Sequence, residues 1–289
     1  MPVLPVPGSG TMTVAIPAPG DGPQWWAGAP SAVLQPDGTF VLAYRVRRGS
    51  GRDDELVIAR SPDGKHFETT AILDKTRYGA AMTERAALIR LDDDRWRLYA
   101  SFATPDSLHW WVGLLEANSP EALVTAPQTI VFPGDAGTGV KDPVVRFDGT
   151  RWHAWLCHHL LDIAGEEDRM ETAHVISDDG IHWSTPTVVL RGRAGTWDAR
   201  GARLTALLPD GRFAYDGRAN TEENWFERTG IATPTGDDQL IGEPREPIST
   251  ARYLDVVPLR DGGWRIFYEQ VLPGETHELR TELIYPPAR

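Results

Sequence analysis

Charged side chains recur where apolar runs begin. Glu84-Arg85, Lys141-Asp142, the group Asp198, Arg200 and Arg203, and the pair Arg252 and Asp255 each stand at the head of a hydrophobic stretch. Ser31 holds the matching place in the first stretch. Carboxylates and guanidinium groups gathered in one pocket are the material of acid–base chemistry and of anion or hydroxyl binding. Burying such charges is costly unless they pair or act on a ligand. Two arrangements satisfy that condition: a reactive pocket, or a paired salt-bridge network lining a water-filled channel.

The elements that would bring these residues together are legible as a repeat. Five times, at spacings of 51 to 62 residues, a hydrophobic run enters a turn and an aromatic opens the next run. The turns are Pro36-Asp37-Gly38, Asp92-Asp93-Asp94, Asp148-Gly149, Pro209-Asp210-Gly211 and Asp261-Gly262-Gly263. The aromatics are Phe40, Trp96, Trp152, Phe213 and Trp264. Asp-Gly between alternating runs signals a hairpin, and repetition at this period signals one unit copied around an axis. The expected fold is therefore all-β, a single-domain five-bladed β-propeller over residues 21–289, with residues 1–20 an N-terminal extension. Within that extension Thr11 to Ile16 is placed to add a strand to the last blade and close the ring.

The blades are expected near residues 22–75, 76–133, 134–192, 193–248 and 249–286. Their inner strands include Ala32-Val33-Leu34, Glu84 to Ile89, Lys141 to Val145, Arg200 to Leu208 and Tyr253 to Val257. In a propeller the starts of the inner strands surround one central pocket. A second, shorter repeat, Ser-x-Asp-Gly-x-His-aromatic, occurs at Ser61 to Phe67 and Ser177 to Trp183. Asp and Ser can bond the turn backbone, so this motif is structural and its histidines are poor metal candidates. Glu166 to Glu171 reads as a solvated acidic loop or hairpin tip, and no metal or cofactor is expected. No helix of useful length is predicted.

Composition narrows the function further. A net charge of −12 without a basic run argues against nucleic acid. The single cysteine, Cys157, excludes an internal disulfide framework and lies in an apolar run, as an inert buried thiol would. The N-terminal Met1 to Gly8 lacks a basic region and is broken by prolines, and no run reaches membrane-spanning length. A cytoplasmic protein without a membrane partner is expected.

Lys141-Asp142-Pro143-Val144-Val145, followed by Asp148-Gly149 and Trp152, resembles the Asp-Pro-led inner strand of the five-bladed glycosidases, as in glycoside hydrolase families 43 and 32. The Ser-x-Asp-Gly turns and a Glu at the start of another inner strand, here Glu84, are similar to features of those families. The resemblance spans blade architecture over most of the chain. It implies a glycoside hydrolase whose saccharide substrate is cleaved by paired carboxyl groups, with inversion. On it Asp142 is the general base, Glu84 the general acid, and Asp255 or Asp198 tunes the acid. Arg85, Lys141, Arg200, Arg203 and Arg252 bind sugar hydroxyls or an anionic group such as a uronic or sialic carboxylate. Where the family places its first acid, this chain has Ala29-Pro30-Ser31. The arginines at the strand starts are similar to the phosphate-holding residues of the family 130 phosphorylases, so phosphorolysis is the alternative. A non-catalytic propeller binding carbohydrate or protein is the other.

Aromatic rings can stack on the apolar faces of sugars. Trp25, Trp26, Trp110, Trp111, Trp197 and Trp225 fall in loops or at blade edges. Among them Trp25-Trp26 and Trp197 directly precede inner strands and are the expected platforms. His158-His159 ends a strand of the third blade, and His158 is taken as a candidate sugar contact.

Overall fold

Each hairpin turn of the repeat needs one residue in the left-handed region. Four turns use glycine there (Gly38, Gly149, Gly211 and Gly262), and the second uses Asp94, at φ +67°. Asp37 and Asp148 accept hydrogen bonds from the backbone N–H two residues on. This local chemistry is why the repeat is visible before any long-range contact is known.

The computed structural model describes residues 4–49, 54–236, 238–243 and 246–286. Met1 to Val3 of the expected extension lie outside the described residues. Strand β1 (Thr11–Ile16) precedes a first sheet of β2 (Trp26–Leu34), β3 (Phe40–Arg47), β4 (Asp54–Ser61) and β5 (Glu68–Leu73). The second sheet holds β6 (Thr83–Arg90), β7 (Trp96–Ala103), β8 (Trp110–Ala117) and β9 (Gln128–Phe132). The third holds β10 (Thr138–Phe147), β11 (Trp152–Leu160), β12 (Met170–Ser177) and β13 (Thr187–Arg191). The fourth holds β14 (Gly201–Leu207), β15 (Phe213–Arg218), β16 (Arg228–Pro234) and β17 (Leu240–Glu243). The fifth holds β18 (Ala251–Pro258), β19 (Trp264–Val271) and β20 (His277–Ile284), and β1 pairs antiparallel with β20 as its fourth strand. The Gly8 and Gly10 N–H groups both donate to the Glu282 carboxylate at 2.8 Å, fixing that junction.

All five sheets are antiparallel meanders. Their first strands touch in a cycle, β2 to β6 to β10 to β14 to β18 and back to β2, which makes the arrangement a β-propeller. Apolar clusters fill each boundary between neighbouring sheets. Leu56, Leu88 and Leu98 join the first and second, and Tyr99, Leu114 and Leu156 the second and third. Trp155, Val189 and Leu204 join the third and fourth, Leu208, Leu254 and Ile266 the fourth and fifth, and Phe40, Leu42 and Phe267 the fifth and first.

Two expectations shift. The first inner strand begins at Trp26, well before Ala32, because the interruption at Ala29-Pro30 is a bulge and not the strand end. The acidic stretch forms a loop that ends where Met170 opens β12, but Glu167 and Asp168 reach the central cavity. The Ser-x-Asp-Gly turns are superposable in their bonding. Ser61 and Ser177 accept from Gly64 and Gly180, and Asp63 and Asp179 accept from the N–H groups two and three residues on and bond the rings of His66 and His182. Neither histidine lines the central cavity. Among the described residues there is no α-helix, no helix long and apolar enough to cross a membrane, and no group of three metal-ligating side chains.

Candidate active site at the propeller axis

A bulge interrupts every inner strand. The register slips between Gly28 and Ser31, Thr83 and Ala86, Lys141 and Val144, Leu204 and Ala206, and Arg252 and Asp255. A bulge re-aims side chains that a regular strand would send to alternate faces. The extruded residues are Ala29-Pro30, Glu84-Arg85, Asp142-Pro143, Thr205 and Tyr253-Leu254. Ala29, Asp142 and Tyr253 hold positive φ values of +52°, +51° and +54°. For a bulky residue such as Tyr253 that is a strained conformation, of the kind retained at functional sites.

Two of the extruded residues, Glu84 and Tyr253, line a cavity of about 400 Å³. Six cationic side chains line it: Arg45, Arg47, Lys141, Arg203, Arg218 and Arg252. Glu84, Glu167, Asp168, Glu227, Tyr253, His159, Trp110 and Trp225 complete the polar and aromatic wall. Arg45 grips both oxygens of Glu84 (2.8 and 2.7 Å), and Arg47 adds a third bond at 3.1 Å. Arg45 also reaches Glu269 (3.2 Å), which bonds Arg252 (2.7 Å). Arg252 and Arg218 share Glu227 at 2.5 Å each. Arg203 bridges Asp142 (2.9 Å) and Asp216 (2.8 Å). Most of the charges are thus paired, as burial demands.

Three features depart from a closed network. The Tyr253 hydroxyl lies 3.4 Å from Glu84 Oε2 and 3.3 Å from Asp142 Oδ2, so it stands between the two carboxylates. Asp142, fully buried behind Lys141, Arg203 and Tyr253, leaves its Oδ1 without a partner. Lys141 is 3.7 Å from the Asp142 carboxylate and lies over the Trp110 ring at 4.9 Å.

The charges around the cavity shift its titratable groups. Burial alone would raise the Glu84 carboxyl, but Arg45, Lys141 and Arg47 outweigh it and hold the pKa at about 2. Glu84 is therefore held ionised at neutral pH. Burial raises the Tyr253 hydroxyl well above its usual range despite Arg203, so it keeps its proton. Glu227 is held well below the usual range, burial being outweighed by Arg252, Arg203 and Arg218.

A pH prediction follows. Glu84 has a depressed folded-state pKa, so its contribution to stability is present above its ordinary value of 4.5 and is lost as pH falls through about 2. The melting temperature should drop across that window. Glu84→Gln should lower the neutral-pH plateau, because Arg45 and Arg47 lose their counter-charge, and should make the acid limb shallower. Thermal melts of both proteins from pH 7 to about pH 2 read the difference.

The structure gathers Glu84, Asp142, Lys141, Arg203 and Arg252 as expected residues of one site, and disperses others. Asp255 opens onto a separate cavity with Val256 and Trp264. It bonds the Ala32 N–H at 2.7 Å and faces Arg85 at 3.7 Å. Arg85 is buried across the axis, donating to the carbonyls of Thr205 and Leu254, and lines neither mouth. Asp198 is sealed under the fourth sheet by Tyr215 and Arg193, with Trp197 stacked on Tyr215. Arg200 pairs with Asp168 at the rim. These misplacements share a cause: a bulge or turn next to each residue changes which face it presents.

Trp26 is buried and does not line the cavity. Its ring stacks on His277 at 4.7 Å and lies under Arg47, Arg45 and Arg252 at 4.7, 5.3 and 5.4 Å. Trp25 packs over Gly20, outside the cavity wall. The tryptophans that do line the wall are Trp110 and the 42% exposed Trp225. His158 points away from the cavity, and its neighbour His159 lines it, as strand alternation requires. Cys157 is buried, and burial pushes its thiol to about 12, which makes it inert as expected.

The chain matches no protein-family model and no curated protein. Similarity appears among solved structures. The fold is that of the propeller glycosidases and glycoside phosphorylases. An α-L-arabinofuranosidase from Lactobacillus brevis superposes with TM-score 0.67 at 13% identity, over 89% of this chain and 90% of its own. An endo-arabinase from Bacteroides thetaiotaomicron gives 0.66 at 14%, over 94% and 98%. A β-1,2-mannobiose phosphorylase from Listeria innocua, in complex with β-1,2-mannobiose, gives 0.63 at 12%, over 98% and 94%. At these identities the likeness is one of fold.

Proposed function

We propose that the axial cavity cleaves a glycosidic bond of a small or terminally presented saccharide by hydrolysis. The observation that carries this reading is the Tyr253 hydroxyl set between Glu84 and Asp142. Glycoside cleavage needs a proton donor for the leaving oxygen and a carboxylate to activate water. Glu84, ionised and lining the cavity, takes the carboxylate role: it activates water and offsets positive charge developing on the ring. Tyr253, protonated and lining the same wall, gives the proton; Asp142 behind it orients the hydroxyl, and the proton that Glu84 takes from water returns to Tyr253 across the 3.4 Å between them. A Glu84 clamped by three arginine hydrogen bonds is poorly free to form a covalent bond, which favours water as the attacker.

One observation favours phosphorolysis as the second reading. Arg47 makes a single side-chain bond within the cluster and its Nε has no partner, while Lys141 stands 3.7 Å from Asp142, beyond hydrogen-bond distance. Both line the cavity and could hold a phosphate.

The test is product formation, followed by NMR, from a panel of aryl glycosides and oligosaccharides with and without phosphate. Phosphate-independent release of free sugar is the expected result. A sugar phosphate formed only with phosphate present would replace hydrolysis by phosphorolysis. Saturable sugar binding without turnover would leave a binding propeller.

A further inference from the structure

The third sheet departs from the first at two positions that meet in one groove. In β3, Val46 pairs with Ala27, just outside the inner-strand bulge, and in β11 the matching residue is His158, paired with Val140. In the Ser-x-Asp-Gly-x-His-aromatic turn, Phe67 of the first sheet is matched by Trp183 of the third. At the boundary of the fifth and first sheets, Val46 and Phe67 belong to a packed apolar cluster with Ala15 and Phe267. At the boundary of the second and third sheets, His158 and Trp183 instead line a cavity of about 340 Å³.

Both replacements bring a ring nitrogen into an apolar place, and both nitrogens are orphaned. Trp183 Nε1 and His158 Nε2 are buried without a hydrogen-bond partner. His158 is 8% exposed, and its other nitrogen is 4.0 Å from Glu171, too far for a hydrogen bond. Burial holds the His158 ring below its ordinary pKa against the pull of Asp135, so the ring is neutral at pH 7. An indole N–H can only donate, so Trp183 calls for an acceptor. The rest of the groove is mainly apolar and partly aromatic, with Phe132, Pro133, Leu156 and Pro186 in its walls beside Asp135, Thr138 and Ser184. Cavities of about 150 Å³ already take benzene, so the space suffices for a substituted ring.

We propose that this groove is a second binding site, for a small aromatic molecule bearing a hydrogen-bond acceptor such as a carbonyl. The ring packs against Phe132 and Leu156, and the acceptor meets Trp183 Nε1 and His158 Nε2. The groove shares no lining residue with the axial cavity, so this site stands or falls independently of the glycoside reading.

The experiment uses the full chain labelled with nitrogen-15 in its tryptophan indoles. Acetophenone is titrated in, ethylbenzene serves as the probe of like shape without an acceptor, and Trp183→Phe assigns the resonance. The expected result is a saturable downfield shift of the Trp183 indole proton with acetophenone. Ethylbenzene should bind about tenfold more weakly, and His158→Val, which restores the residue of the first sheet, should weaken acetophenone about tenfold. The other indole resonances report that each variant is folded. No saturable shift, equal affinity for ethylbenzene, or undiminished affinity in His158→Val would each overturn the proposal.

Discussion

Tyr253→Phe should lower kcat by about 10²- to 10⁴-fold with little change in stability. The variant removes one oxygen and leaves the ring over Arg203, and both neighbouring carboxylates keep their arginine partners. Asp142→Asn should cost a similar factor, because it removes the charge that orients the same hydroxyl. The double variant should be hardly worse than either single one, since groups acting as a unit are non-additive. Steady-state kinetics on whichever glycoside the wild type turns over decides the matter. Independent, multiplying losses would show that Asp142 does not work through the Tyr253 hydroxyl. Wild-type kcat in Tyr253→Phe would remove the proposed acid altogether.

The second large effect is on stability. Glu269 is fully buried and accepts from Arg45, Arg252 and the Ala29 N–H, with His277 also bonded to it. Removing one partner of a buried ionic group leaves the others uncompensated, at a cost of about 3–5 kcal/mol. Glu269→Leu should therefore unfold at markedly lower denaturant concentration with an unchanged m value, measured by urea titration. Gly28→Ala should fail by the same contact, since a Cβ at Gly28 would stand 1.9 Å from Glu269 Oε2. A loss below about 1 kcal/mol in Glu269→Leu would mean that the arginines find other partners or water.

The fold was legible because its signals are local. A Gly38 or Gly149 turn followed by Phe40 or Trp152 depends only on its own neighbours, and so does the Ser61 or Ser177 turn. The site was half legible. Glu84 and Asp142 stand in bulges of inner strands and were singled out, but the electrostatics around them were not legible, because the Glu84 pKa depends on arginines from β3. Arg45, Arg47, Asp216, Arg218 and Glu269 were missed, since all come from the ends of second strands. A signal for them existed. Arg45 and Arg47, and likewise Asp216 and Arg218, are charges two residues apart in otherwise apolar runs, which places each pair on one buried face. Asp198 and Trp197 show the converse error: proximity to an inner strand in sequence did not survive the turn between them.

The pairing of β1 with β20 has a consequence for how the chain reaches its structure. Thr11 meets Leu283, so the fifth sheet cannot be completed until nearly the whole chain exists. At about 5–20 residues per second of synthesis, β1 waits roughly 15–60 s with its edge unpaired. During that interval four sheets can form in order, while the ring lacks its seam. The rate-limiting event in refolding should then be this long-range closure, and a circularly permuted chain that joins the present ends and opens between two other sheets should fold by a different last step.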